Sequence, residues 1–68
     1  MSQVVYPNIE AERGRLGMDK TEFSKMIGVT RMTYANWQSG KSKIPVDVIV
    51  DLSKRLHVST NYLLGLEG

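Results

Sequence analysis

The sequence predicts an all-α fold: five short helices in one compact domain, residues 1–68, with an ordered core at about 8–65. Three observations carry this expectation. Capping residues precede the apolar segments, glycines close most of them, and the apolar residues in between recur at helical spacing. At 68 residues the chain has room for one core and no second domain.

Asn8 is placed to cap a first helix running to about Leu16, where Gly17 stops it. Ile9, Arg13 and Leu16 then share the face expected to meet the core. Arg13 occupies a position where an apolar residue is expected, so it needs a hydrogen-bonding partner; an unpaired buried charge is strongly destabilising. Asp19 and Glu22 have the spacing of a capping box, and acidic residues in a first turn suit the helix dipole, so a second helix begins there. Phe23 and Ile27 form its inner stripe, Ser24 is small enough to admit a neighbouring helix, Gly28 ends it in the left-handed conformation, and Val29 tucks in at the turn.

Thr30 caps a third helix from Arg31 to about Ser39, closed by Gly40. At about 100° per residue, Thr33, Tyr34 and Trp37 fall in one apolar sector, while Met32, Ala35, Asn36 and Ser39 fall opposite with Arg31 at their edge. The basic loop GKSKI follows. Pro45 fits the first position of a fourth helix, with Asp47 in its first turn and Val48, Ile49, Leu52 and Leu56 on its inner sector. Val50 points away from that sector. Ser59 caps a short last helix over 60–64, ended by Gly65, whose Tyr62, Leu63 and Leu64 offer more apolar surface than a single turn buries. Part of that surface is expected to close the core and part to meet a second copy. Leu66 and the two residues after it read as a tail or linker.

Composition removes several functions. There is no cysteine, so neither a disulfide framework nor a thiolate metal site is available, and the lone His57 has no partners at metal or catalytic spacing. No acid, base and nucleophile converge at motif spacing, so an enzyme is not expected, and a core this small leaves no room for a small-molecule ligand or cofactor. The N-terminus lacks a signal-peptide pattern and no apolar run approaches the ~20 residues of a membrane span, so a soluble, cytoplasmic protein is expected.

The net charge of +2 conceals a patch. Residues 1–12 hold only Glu10 and Glu12, and residues 44–68 hold Lys54 and Arg55 against Asp47, Asp51 and Glu67. Between them, Arg13, Arg15, Lys20, Lys25, Arg31, Lys41 and Lys43 face only Asp19 and Glu22, a surplus of five positive charges. Such a stretch suits a polyanion, although charge alone is equally compatible with a basic surface that serves solubility. The outer face of the third helix sharpens the choice. It is small, polar and basic with no acidic side chain; Arg31 and Asn36 carry donor forks that match guanine and adenine edges, and Met32 and Ala35 can meet thymine methyls. An ordinary solvated face with an incidental methionine is the competing interpretation. Lys41 and Lys43 can reach phosphates.

These residues resemble the small helix-turn-helix repressors of the phage lambda repressor and Cro type, found also as bacterial xenobiotic-response-like regulators. The resemblance covers nearly the whole chain, 8–65, and rests on a small residue at Ser24, glycine at Gly28, and apolar residues at Phe23, Ile27, Val29, Tyr34 and Trp37. NWQSGK, Pro45 and VSTNYLLG are similar to the family's N/R-W-E-x-G-K, its proline and its V-S-x-D-Y-L-L-G. The resemblance implies a compact lambda-repressor-like domain with the helix-turn-helix at its second and third helices. It also implies base contacts from Arg31, Met32 and Asn36, and phosphate contacts from Lys20, Lys41 and Lys43; Ala35, on the same outer face, joins the base candidates, and Thr21 and Ser39 join the phosphate candidates.

Three departures stand out. Lys20 replaces the usual Gln at the head of the second helix, and Asn61 replaces a common Asp. Gln38 replaces a glutamate that pairs with the first-helix arginine in family members, which leaves Arg13 a neutral amide at Gln38, Glu12, or a phosphate as partner. The expected function is therefore a phage or bacterial transcription regulator, a repressor by default, binding an inverted-repeat operator in double-stranded DNA as a homodimer, with Val50, Tyr62 and Leu63 as possible dimer contacts. The alternative is an antitoxin-like protein-binding module that uses the apolar C-terminal end.

Overall fold

In the computed structural model, which describes residues 4–66, the local signals become five helices and no strand is present among the described residues. They are α1 (Pro7–Arg15), α2 (Lys20–Ile27), α3 (Arg31–Ser39), α4 (Val46–Leu56) and α5 (Thr60–Leu64). The radius of gyration is 11.0 Å, the value of about 11 Å that a folded chain of this length should have.

The α2–α3 unit is set mainly by local bonds. Asp19 accepts the Glu22 amide at 2.8 Å while Glu22 accepts the Asp19 amide at 2.9 Å, completing the capping box. At the other end Gly28 takes φ 92°, and the Val29 amide donates to the Ser24 carbonyl at 3.0 Å while the Gly28 amide donates to Lys25 at 3.1 Å. That pair of bonds stops the helix within one residue. Thr30 then accepts the Thr33 amide at 3.1 Å and starts α3. Ser24 is buried, its hydroxyl donating to the Lys20 carbonyl at 2.6 Å, so a polar side chain sits in the packing layer without an orphaned group.

Ile9, Phe23, Tyr34, Leu52 and Leu63 are almost wholly buried and form the centre of the core with Trp37, Ile49 and Leu56. Phe23 meets Tyr34 edge-to-face at 5.5 Å between ring centroids, which locks α2 to α3, and within α3 Tyr34 meets Trp37 in the same way at 6.4 Å. Tyr6 and Ile44, both outside the helices, complete the core, so the buried structure starts ahead of Asn8.

Four expectations are corrected. Asn8 does not cap α1: Tyr6 is the N-cap residue, with no side-chain cap bond, and Pro7 opens the helix. Asn8 instead donates from Nδ2 to the Tyr62 carbonyl at 2.7 Å and ties α1 to α5. Leu16 is 37% exposed and outside the core cluster, because α1 ends at Arg15 and Leu16 is its C-cap residue, past the last helical turn. Pro45 is the N-cap of α4, not its first residue; its extended backbone at ψ 149° presents its carbonyl to the Ile49 amide at 3.1 Å. Leu63 has no exposed surface and is removed from the candidate dimer contacts.

His57 ends α4 at φ 57°, the one non-glycine residue with positive φ among the described residues. A side chain in that conformation is strained by about 1–2 kcal/mol, partly offset in the glycine variant by a more flexible unfolded chain. His57→Gly is therefore expected to stabilise the fold by about 0.5–1 kcal/mol, read as a thermal midpoint a few degrees higher.

Candidate nucleic-acid interface

The orientation of α3 follows from what its inner side buries. Tyr34, Trp37 and Gln38 are buried. Arg31, Met32, Ala35 and Ser39 are consequently exposed and Asn36 is half-exposed, with Thr33 half-buried at the margin. Met32 is 70% exposed, an apolar side chain left in water on an otherwise polar face. Lys20 and Thr21 are exposed at the start of α2, as are Lys41, Ser42 and Lys43 in the loop after α3. The Ser42 amide donates to the Asn36 carbonyl at 3.3 Å, so the loop folds back on the helix that carries the base-facing candidates. The Ser39 hydroxyl donates to that same carbonyl at 3.3 Å.

The ion pairs among the described residues refine the charge pattern. Arg13 pairs with Glu10 at 2.8 Å, Arg15 with Glu12 at 2.6 Å and Arg55 with Asp51 at 2.7 Å, each within its own helix. Arg13 and Arg15 are thus neutralised, while Lys20, Lys25, Arg31, Lys41 and Lys43 have no acidic partner within ion-pair distance and are exposed. Asp19 and Glu22, the acidic residues of this stretch, are turned onto backbone amides in the capping box. Most of the positive charge left unpaired among the described residues lies on α2, the first residue of α3 and the loop after it; Lys54 on α4 is the exception.

Behind this face runs a buried polar chain that the sequence did not reveal. Arg13 donates to Glu10 through Nε at 3.1 Å and Nη2 at 2.8 Å, and through Nη1 to the Met18 carbonyl at 2.8 Å. The Tyr34 hydroxyl donates to Glu10. Gln38 Nε2 donates to the Tyr34 hydroxyl at 3.1 Å and to the Tyr6 carbonyl at 3.2 Å, while its Oε1 accepts the Tyr6 amide at 2.9 Å. The partner of Arg13 is therefore Glu10, and neither Gln38, Glu12 nor phosphate is needed to satisfy it. The hydrogen bond from Arg13 holds the Glu10 carboxyl below its ordinary range, against the opposing effect of burial and with help from Tyr34. Burial, then the hydrogen bond to Glu10, pushes the Tyr34 hydroxyl well above its usual value. The i,i+3 spacing of Glu10 and Arg13 was a readable signal. The link from Glu10 to Tyr34, 24 positions away, was not.

Ile44, Val46, Ile49, Val50, Thr60 and Leu64, from α4, α5 and the end of the loop before α4, line an open apolar cleft of about 190 Å³. Val46, Val50 and Leu64 are exposed there. Tyr62 is half-buried, its hydroxyl donating to Glu12 at 3.2 Å. No group of three or more potential metal ligands occurs among the described residues, and no helix of theirs is long and apolar enough to cross a membrane.

The helix-turn-helix family model matches residues 9–63, which contain α2, its tight turn at Gly28 and α3. The chain belongs to the Cro/C1-type helix-turn-helix family of DNA-binding transcription regulators. Within that family's fold it is similar to the P22 c2 repressor, solved in complex with synthetic operator 9T in the presence of Tl+. The two share 28% sequence identity and a TM-score of 0.76, over 96% of this chain and 98% of that one. No curated protein matches it. The family assignment makes the α2–α3 face the candidate DNA-binding surface of this helix-turn-helix protein.

Proposed function

We propose that this regulator is a sequence-specific repressor that binds double-stranded DNA as a homodimer, with α3 of each copy in successive major-groove turns of an inverted-repeat operator. The observation that carries the reading is the open face of α3: Arg31, Met32, Ala35 and Asn36 are turned outward, no acidic side chain shares the helix, and unpaired lysines flank it on α2 and the following loop. Arg31 and Asn36 supply the hydrogen-bond donors for base edges, and Met32 and Ala35 the apolar contacts for thymine methyls. Lys20, Thr21, Ser39, Lys41 and Lys43 hold the backbone and fix the register. Likeness to a repressor solved on operator DNA supports the same mode of binding. The apolar cleft between α4 and α5, with Val50 at its rim, supports contact between two copies.

Selection of bound duplexes from a random library tests the reading in one experiment. Enrichment of an inverted repeat, with half-site centres about one helical turn apart, is the expected result. Recovery of unrelated sequences would remove sequence specificity, and recovery of isolated half-sites would remove the homodimer. The same cleft supports a second reading, a protein-binding module whose apolar end covers a foreign partner. Sedimentation separates the two: a lasting monomer without DNA affinity at low salt favours the second.

A further inference from the structure

The N-terminal segment 4–6 is pinned to the end of α3 by bonds that the DNA-binding face does not itself require. The Val5 amide donates to the Gln38 carbonyl at 2.8 Å, and the Gln38 side chain both accepts from the Tyr6 amide and donates to the Tyr6 carbonyl. From that anchor the Tyr6 ring reaches into the core, and its hydroxyl accepts the Ile44 amide at 3.3 Å. Tyr6 therefore bridges the two ends of loop 40–44, one through Gln38 at the close of α3 and the other at Ile44. The near end is sterically fixed as well. Gly40 has φ 85°, and a Cβ there would sit 3.2 Å from Val5 Cγ2, so the segment lies directly over the turn that leaves α3. Between these anchors, Lys41, Ser42 and Lys43 are exposed.

We propose that Tyr6, gripped by Gln38, is a positioning residue for phosphate binding: it holds loop 40–44 in the shape that presents Lys41 and Lys43 to the DNA backbone. This rests on the DNA-binding reading above. The physical reason is preorganisation. A loop ordered only on contact with phosphate loses conformational freedom at the moment of binding, whereas one already tied at both ends loses little. The chemistry of the side chain matters too. Gln38 uses its donor and its acceptor on the same residue, Tyr6, which an ionised carboxylate of the same length cannot do. The side chain at position 38 is thereby assigned to N-terminal anchoring, a task separate from pairing with Arg13.

Tyr6→Phe tests this, since it removes only the hydroxyl and keeps the buried ring; Leu56→Val, a core truncation in α4, serves as the folded but destabilised control. Binding is measured by titration on selected operator and on random duplex over a range of salt, well below the thermal midpoint of each variant. Tyr6→Phe should bind both duplexes about three- to tenfold more weakly and by the same factor, with a flatter salt dependence. Amide hydrogen exchange should quicken at Ile44 and Ser42 while amides of α4 keep their protection. Leu56→Val should bind as the parent does. Unchanged affinity of Tyr6→Phe would overturn the proposal. So would a loss confined to the operator, which would place the effect on α3, or an equal loss in Leu56→Val, which would reduce it to stability. Any of these leaves the DNA-binding reading standing. Failure of the parent protein to bind any duplex at low salt removes that reading, and the proposal with it.

Discussion

Glutamate in place of Gln38 is expected to destabilise the fold by about 2–4 kcal/mol at neutral pH. The reason lies in the direction of the polar chain. The Gln38 amide donates to the Tyr34 hydroxyl, that hydroxyl donates to Glu10, and Arg13 donates to the same carboxylate. Tyr34 has one proton, and it is committed to Glu10. A carboxylate at position 38 has no proton to offer Tyr34 or the Tyr6 carbonyl, and adds a second negative charge behind a single phenol. Gln38 is 7% exposed, so water does not relieve the conflict. A substitution that keeps the length and shape of the side chain is thus expected to harm the fold. Adding Glu10→Gln should recover part of the loss, because the chain can then run in the opposite direction; a coupling of at least about 1 kcal/mol in the double-mutant cycle is expected. Additive losses would show that the two side chains do not communicate through Tyr34.

The same chain sets a pH dependence. Glu10 has a lowered pKa in the folded state, so its stabilising effect is complete above its ordinary value of 4.5 and is lost as the pH falls through the lower folded value. In the Gln38→Glu variant the sign differs at one site: the crowded new carboxylate takes up a proton more readily in the fold, and protonation restores a donor. The deficit of the variant should therefore shrink as the pH is lowered from neutral toward that ordinary carboxylate value, and the urea-midpoint curves of parent and variant should converge. Parallel curves would place the loss in packing, with no part for charge.

Arg31→Ala and Asn36→Ala are each expected to weaken operator binding by about 1–3 kcal/mol and to relax base preference at the positions they meet. Lys41→Ala is expected to weaken operator and random duplex equally and to flatten the salt slope by about one unit. The structure makes the contrast sharp because these side chains take no part in the core: Arg31 and Lys41 are exposed and unpaired, and Asn36 is half-exposed with its carbonyl, not its side chain, engaged by Ser42 and Ser39. Loss of binding should thus appear without loss of thermal stability. Anisotropy titrations of both duplexes at several salt concentrations distinguish the two classes. Equal losses on operator and random DNA for Arg31→Ala and Asn36→Ala would count against direct readout by α3.

Most helix boundaries were legible because capping acts over three or four residues. Asp19 with Glu22, Thr30, Ser59 and the glycines at 28, 40 and 65 need only their own neighbours to act, and each does what local rules require. Asn8 shows the limit. It has the chemistry of a cap, yet Pro7 already opens the helix, and the Tyr62 carbonyl, 54 positions away, takes its amide. Leu16 shows another: a helical wheel assigns a direction only while the helix continues, and α1 ends at Arg15, one residue before it.

For the interface, the sequence by itself determined which side of α3 faces outward, since Tyr34 and Trp37 must be buried and the helix has only one other side. It also placed the basic residues along the chain. Only the tertiary structure decided which of those charges stay free, because pairing depends on distances between side chains that spacing alone bounds loosely. Arg13 and Arg15 are taken by Glu10 and Glu12, leaving the lysines and Arg31 for a partner. Likewise, the place of Gln38 between Tyr34 and Tyr6 required the N-terminal segment to meet the end of α3. A buried amide can satisfy its donor and acceptor in many ways, and the fold selects the one that anchors the N-terminus over the loop.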